Sequence, residues 1–314
     1  MTTPRPFRFG LGGNSTTSRE EWINQARQAE TLGYSTFLIP DHFRQALAPI
    51  AALMAAADAT QTLRVGSFVF DNDFRHPAVL AKEAATLDLL SNGRFEMGIG
   101  AGWLRSEYDE TGIPYDAPGV RIKRLEEALH VIKAIWTEET ATYSGNFYKI
   151  TQLQGVPKPA QRPHPPILIG GGGKRVLSLA GRFANIVGFI PKLEESGPTA
   201  DLTDATETAL HEKIAWVREA ASERFQQLEL NLFLAAVIVT QDQQQAAQYI
   251  AQARGWQDMN AEQILAVPYL LIGTIEQMVE RLHALREKFG LSYFVIPSEN
   301  RDQFAPVVAR LAGV

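Results

Sequence analysis

Strand-like and helix-like stretches alternate along nearly all of this 314-residue chain, and that alternation restricts the fold more than any single motif does. Short runs of β-forming residues occur at 7–12, 34–40, 63–69, 94–100, 166–170, 186–191, 230–239 and 291–297. Between them, apolar residues recur at helical spacing over 18–32, 77–90, 121–137, 174–183, 205–225, 242–254 and 275–289. Several of these stretches carry end signals. Ser18 and Glu21 form a capping-box pattern ahead of the first, which stops at Gly33. Pro77 sits in a permitted first turn, Asn92 and Gly93 follow that helix, and Gly290 closes the last. Repeated strand-then-helix units call for a parallel sheet covered by helices. Eight strand-like runs in that alternation point to an α/β fold of the (β/α)8 barrel type with insertions. An open doubly wound sheet is the alternative, because closure leaves no mark on periodicity.

The length suits one barrel domain over 1–314 with excursions. The segment ATYSGNFYKI alternates around Ser144, Gly145 and Asn146, so a hairpin insertion is expected near 140–150. A polar stretch near 191–204 reads as a loop insertion. Hydrophobic residues at 45% and charged residues at 21% describe an ordinary globular core and a solvated surface. A net charge of −5 without a basic stripe argues against a nucleic-acid surface. No segment approaches the roughly 18 apolar residues of a membrane span, and MTTPRPFRFG has no apolar signal core. A cytoplasmic protein away from membranes is the expectation. Zero cysteines removes disulfides, thiolate nucleophiles, iron–sulfur clusters and cysteine zinc sites together.

In a barrel, the residues that follow each strand meet at one end, where active sites lie. Here that set includes Asn14, Asp41, His42, the 71–76 segment, Gly100, Gly102, Trp103, Glu107 and the run Gly170, Gly171, Gly172, Gly173. The last belongs to PPILIGGGGKR, a strand that opens through four glycines into a helix. Glycines at such a junction let backbone N–H groups approach an anion at the positive end of the helix dipole, although a flexible turn has the same composition. The spacing matches neither a Walker loop nor a dinucleotide fingerprint. His42 is the acid–base candidate, since an imidazole exchanges protons near neutral pH. His76, before Pro77, reads instead as a helix-start residue. With no HxH, HExxH or GxSxG pattern, metal hydrolysis and serine catalysis have little support, and no metal site is expected.

These motifs, in this order, resemble the bacterial luciferase-like barrel oxidoreductases, which use FMN or the deazaflavin coenzyme F420. The resemblance rests on Asp41-His42-Phe43, FRHPAVLAKEAATLDLLSNGRFEMGIGAGW at 74–103, Glu107, Gly112-Ile113-Pro114, PKPAQ at 157–161 and the glycine run. It implies coenzyme F420 as cofactor, with FMN as the alternative, its phosphate on the glycine loops including Gly100, Gly102 and Gly170 to Gly173. It also implies that Asp41 contacts the ring, that His42 gives or takes a proton, and that Ser67-Phe68 occupies the place of a non-proline cis peptide behind the ring. Asn14, Trp103 and Glu107 fall where substrate would sit. Sugar-phosphate dehydrogenases of the F420 group carry an acidic residue in place of Trp103 and a tryptophan in place of Ala46, so sugar-phosphate oxidation is not expected. Trp103 and Phe68 imply an apolar, π-rich wall. The activity implied is hydride transfer between the deazaflavin C5 and a small-molecule or peptide substrate with an activated C=C or C=N bond. An FMN monooxygenase and a non-catalytic flavin-binding protein are the alternatives. Family members are often homodimers, and a separate cofactor reductase is an expected partner.

Overall fold

The structure is a computed structural model that describes residues 4–13, 16–44, 47–194, 197–200, 202–256 and 258–314. Its centre is a ring of eight strands: β1 (Arg8–Gly12), β2 (Thr36–Ile39), β3 (Arg64–Ser67), β4 (Phe95–Gly100), β5 (Ile167–Gly171), β6 (Ile186–Phe189), β7 (Glu229–Phe233) and β8 (Leu291–Ile296). Every neighbouring pair is parallel. The order runs β3-β2-β1-β8-β7-β6-β5-β4, and β3 pairs with β4 through Val65↔Phe95 to close the ring. The open-sheet alternative is thereby excluded.

Strand pleating sends alternate residues outward and inward. Outward-facing Phe9, Phe37, Val65, Phe95, Ile99, Ile169 and Phe294 join the main buried core beneath the helices. Inward-facing Leu38, Leu168, Ile186, Tyr293 and Val295 form a second cluster inside the barrel, with Phe68, Val69 and Phe233 packed on it. The helices are α1 (Arg19–Thr31), α2 (Pro49–Asp58), α3 (Pro77–Leu90), α4 (Arg105–Thr111), α5 (Pro118–Thr137), α6 (Lys174–Phe183), α7 (Glu207–Ala221), α8 (Gln243–Ala253), α9 (Ala261–Ala266), α10 (Ile275–Phe289) and α11 (Arg301–Leu311). Ser18 caps α1 by accepting from the Glu21 amide, but the Glu21 carboxylate turns to the Thr16 hydroxyl, so only half of the expected box forms. Complete boxes cap α9 and α10 instead. His76 holds the start of α3, its Nδ1 accepting from the Ala78 amide at 3.2 Å.

The run at 230–239 is not one strand. After β7 the chain leaves the barrel at Ala235, whose amide donates to the Tyr269 carbonyl at 2.8 Å. Ala236–Val239 then pairs in parallel with Leu270–Gly273, outside the ring. The hairpin near 140–150 forms from Thr140–Ser144 and Lys149–Gln154. Its tip is anchored by the Glu127 carboxylate, which accepts from the amides of Asn146, Phe147 and Tyr148 at 2.7, 2.9 and 3.2 Å. In the segment after β6, Leu193–Glu194 and Gly197–Ala200 form a short antiparallel pair.

Candidate active site

The C-terminal ends of the strands bring most of the expected residues together. Three glycines lie side by side across β4, β5 and β6: Ile99 is in register with Ile169, which sets Gly100 beside Gly170, and Gly170 pairs with Gly188. A methyl group at Gly170 would meet nothing closer than 3.9 Å, so the floor of the mouth is bare there. The inward side chains Phe68 and Phe233, with ring centres 6.0 Å apart, give the mouth an aromatic wall. The cis peptide behind this wall is Phe68–Val69, one bond beyond the expected Ser67–Phe68. β3 breaks after Ser67 and resumes at Phe70–Asp71, which pairs with Ile99 and Gly100. Ser67 itself is buried, and its hydroxyl donates to the Gly98 carbonyl at 2.7 Å and accepts from the Gly98 amide at 3.1 Å. It ties β3 to β4 and has no reach into the mouth.

The glycine run divides into two kinds. A Cβ on Gly171 would come within 2.3 Å of Val176, and one on Gly172 within 2.8 Å of the Ile190 carbonyl oxygen, so both are required by protein packing. Gly173, by contrast, has nothing within 4 Å of such a Cβ and stands as the N-cap of α6. It opens the amide end of a helix to solvent, the geometry of an anion cradle. Gly102 also answers to packing: its φ is +74°, and a Cβ would lie 1.8 Å from the Tyr108 hydroxyl.

His42 sits beyond β2 with its side chain 31% exposed. Its Nδ1 lies 2.8 Å from Glu107 Oε2, and Oε1 of the same carboxylate accepts from the Phe43 amide at 2.9 Å. A carboxylate accepts only, so Nδ1 carries a proton and Nε2 is the nitrogen that Glu107 does not hold. Glu107, in the first turn of α4, is 2% exposed and both its oxygens are occupied. It therefore orients His42 from behind. Trp103 stands edge-on to His42, ring centres 6.0 Å apart. Asp41 does not touch His42: its carboxylate pairs with Arg75, the second contact being 3.0 Å, and accepts from the Asp71 amide at 3.1 Å. Asn14 lies outside the described residues.

Asp71, which the sequence places at this end within the 71–76 segment without assigning it a role, proves to be, among the described residues, the carboxylate with the most altered environment. It is 8% exposed, accepts from Tyr108 at 2.7 Å, and lies beside Asp41 and Asp73. Burial, reinforced by the charges of Asp73 and Asp41, pushes its carboxyl up to about 7 despite hydrogen bonds from the Asp73 amide and Tyr108. Asp73 has its own cation, Arg124, at 2.9 Å. Arg75 was visible only as part of the FRHP motif, and nothing in its spacing announced that it would face Asp41. Among the described residues, no three His, Asp or Glu side chains are grouped to hold a metal ion, and no helix is long and apolar enough to cross a membrane.

The family model for luciferase-like monooxygenases matches residues 5–292. The chain belongs to that family. Among its relatives is an uncharacterised protein of Mycobacterium tuberculosis, 36% identical over 171 residues, covering 47% of this chain and 59% of the relative. An F420-dependent glucose-6-phosphate dehydrogenase of Nakamurella multipartita is 31% identical over 237 residues, covering 72% of this chain and 66% of the relative. An FMNH2-dependent dimethylsulfone monooxygenase of Pseudomonas putida is 32% identical over 155 residues, covering 49% and 40%. The chain thus spans only about half the length of several curated relatives. The same fold is found in an F420-dependent secondary alcohol dehydrogenase, TM-score 0.74, 18% identity, covering 98% of this chain and 99% of that one. It recurs in the F420-dependent tetrahydromethanopterin reductase of Methanopyrus kandleri, TM-score 0.76, 18% identity and 99% coverage of both chains.

Proposed function

We propose that the protein is a coenzyme F420-dependent oxidoreductase that reduces an activated C=C or C=N bond of a small organic substrate, such as a dehydroamino acid or another natural-product intermediate. The observation that carries this reading is the arrangement of the mouth: a bare glycine floor and an open helix N-terminus stand at the same barrel end as a histidine held by a buried carboxylate. Gly170 leaves room for a flat ring against β5, and the amides at Gly173 and the start of α6 would hold its phosphate. Lys174 and Arg175, on that first turn, suit the acidic tail. Bound there, the deazaflavin supplies a hydride at C5 and the protein supplies position and proton. Phe68, Phe233 and Trp103 keep water from the reacting carbon and favour an apolar substrate over a sugar phosphate. His42, protonated on both ring nitrogens, donates its Nε2 proton to complete the reduction and is left as the Nδ1–H tautomer that Glu107 holds.

FMN is the second reading, favoured by the likeness to the dimethylsulfone monooxygenase. The same cradle would take its phosphate, and the chemistry would turn to oxygen activation. Parallel titrations with F420 and with FMN test the choice. Tight F420 and weak FMN binding is the expected result; preference for FMN would replace hydride transfer with the monooxygenase reading. A merely flavin-binding protein is separated from both by His42→Ala, which costs an enzyme its turnover while the cofactor stays bound and costs a binder little.

A further inference from the structure

We infer that Lys213 and Asp204, a buried ion pair remote from His42, are positioning residues that set the shape of the glycine cradle, and so the protein's selectivity for a phosphate-bearing cofactor. This rests on the reading of that loop as the phosphate site. Lys213 lies on α7 with a side chain 0% exposed, and its Nζ contacts Asp204 Oδ2 at 2.5 Å. A fully buried ammonium is costly unless every proton is accepted, and here two more oxygens take part. One is the Asp204 carbonyl at 3.2 Å, and the other is the Ile190 carbonyl at 2.9 Å.

The Ile190 contact gives the pair its reach. A Cβ on Gly172 would stand 2.8 Å from that same Ile190 oxygen and 2.8 Å from the Lys192 amide nitrogen, so the 190–192 segment is the back wall of the cradle. The Ile190 amide donates to Gly171 at 3.3 Å, joining wall to loop. Asp204 holds the other end of the wall: its Oδ2 accepts from the Lys192 amide at 2.6 Å, with the Lys192 ammonium 3.8 Å from Oδ1. Lys213 therefore clamps the wall through Ile190, and Asp204 clamps it through Lys192. Neither residue faces the mouth. Their effect on a ligand passes through the backbone at Gly172, which determines where the amides of Gly172 and Gly173 point.

The prediction is specific to phosphate. Affinities of wild type, Lys213→Arg, Lys213→Met and Asp204→Asn are measured for F420 and for its deazaflavin chromophore stripped of phosphate and tail, alongside thermal unfolding. Lys213→Arg keeps the charge and is the mildest change. Lys213→Met takes the buried cation from Asp204, releases the Ile190 carbonyl and is the most damaging. Asp204→Asn keeps an oxygen for the Lys192 amide. We expect wild type to bind F420 much more tightly than the stripped chromophore, and Lys213→Arg and Asp204→Asn to lose at least tenfold in F420 affinity with the stripped chromophore unaffected. If the folded variants keep the wild-type ratio, or weaken both ligands equally, the positioning role is overturned while the cradle stands. If wild type itself binds the two ligands equally, the cradle reading fails and takes this inference with it.

Discussion

The two ends of this barrel are built on opposite electrostatic plans. At the N-terminal end, Arg8, Arg64, Glu96 and Glu229 fill the interior with matched charges. Arg8 contacts Glu96 at 2.6 Å and Glu229 at 2.7 Å, and Arg64 contacts Glu96 at 2.5 Å. The Arg8 guanidinium also lies 3.7 Å from the centre of the Tyr293 ring. Burial works against an ionised Glu96, yet Arg8 and Arg64 outweigh it and hold its carboxyl below the usual range. At the C-terminal end, Asp41 and Asp73 have their arginines, but Asp71 has only hydrogen-bond donors and its carboxyl rises to about 7. Glycine replaces bulk there, leaving open space at Gly170 and Gly173. The closed end is resolved for stability. The open end carries unbalanced charge and unfilled volume, as a binding site does.

The largest expected effect breaks the open end without touching the closed one. His42→Ala lowers kcat by about 10² to 10⁴-fold, the span of a lost general acid, with cofactor affinity unchanged in a fluorescence titration. Glu107→Gln, which leaves the imidazole but weakens its anchor, falls between that variant and wild type. The converse change is Arg8→Met. It takes the cation from Glu229 and leaves Glu96 with Arg64 alone, and costs about 3 to 5 kcal/mol by denaturant unfolding, while protein that remains folded keeps its cofactor affinity.

Much of this comparison was legible in the sequence and some was not. The eight strands were, because β-forming runs such as Ile167–Gly171 stand apart from helical spacing, and the glycine run at 170–173 marked the mouth. Closure was not, since it depends on β3 meeting β4. Helix α2 was missed because Ala51 to Ala57 is apolar all round and shows no period. Leu270–Gly273 was missed for the same want of alternation, being buried on every side. The family motifs also mixed two kinds of residue. Gln161 of PKPAQ holds the carboxylate of Asp88 at 2.9 and 2.6 Å and accepts from Arg64 at 3.0 Å, a brace near the closed end. Glycines 171 and 172 serve packing, whereas Gly173 does not, and only the neighbours that the fold brings against each one separate them. The partner of His42 proved to be Glu107, which is distant in sequence, because neighbours such as Asp41 point elsewhere.

Acid and base should act on the two ends in opposite directions. Asp71 has a folded value of about 7 against an ordinary 3.8, so the folded state keeps its proton where the unfolded chain has lost it. Its stabilising contribution is full below pH 3.8 and is lost as pH rises toward 7. Glu96 has the opposite sign: its contribution is present above the usual glutamate value and is lost as pH falls through the depressed folded value. Asp71→Asn therefore removes a penalty on the order of a few kcal/mol at pH 8 and flattens the stability profile between pH 4 and 7, whereas Glu96→Gln flattens the acid limb. Urea unfolding across pH 3 to 9 reads both. A variant Asp71→Asn with the wild-type slope would remove Asp71 as the source of charge imbalance.

The smallest changes in stability sharpen the contrast inside the glycine run. Gly172→Ala forces a methyl onto backbone and costs about 1 to 3 kcal/mol. Gly173→Ala, with a φ of −97° and open space, stays within about 1 kcal/mol of wild type. Its methyl would project where a phosphate is proposed to sit. The most direct test of the account is therefore the F420 affinity of Gly173→Ala beside wild type. Tight wild-type binding, weakened at least tenfold in a variant of unchanged melting temperature, is the result the account predicts. Equal affinities, or no F420 binding by the wild-type protein, would contradict it.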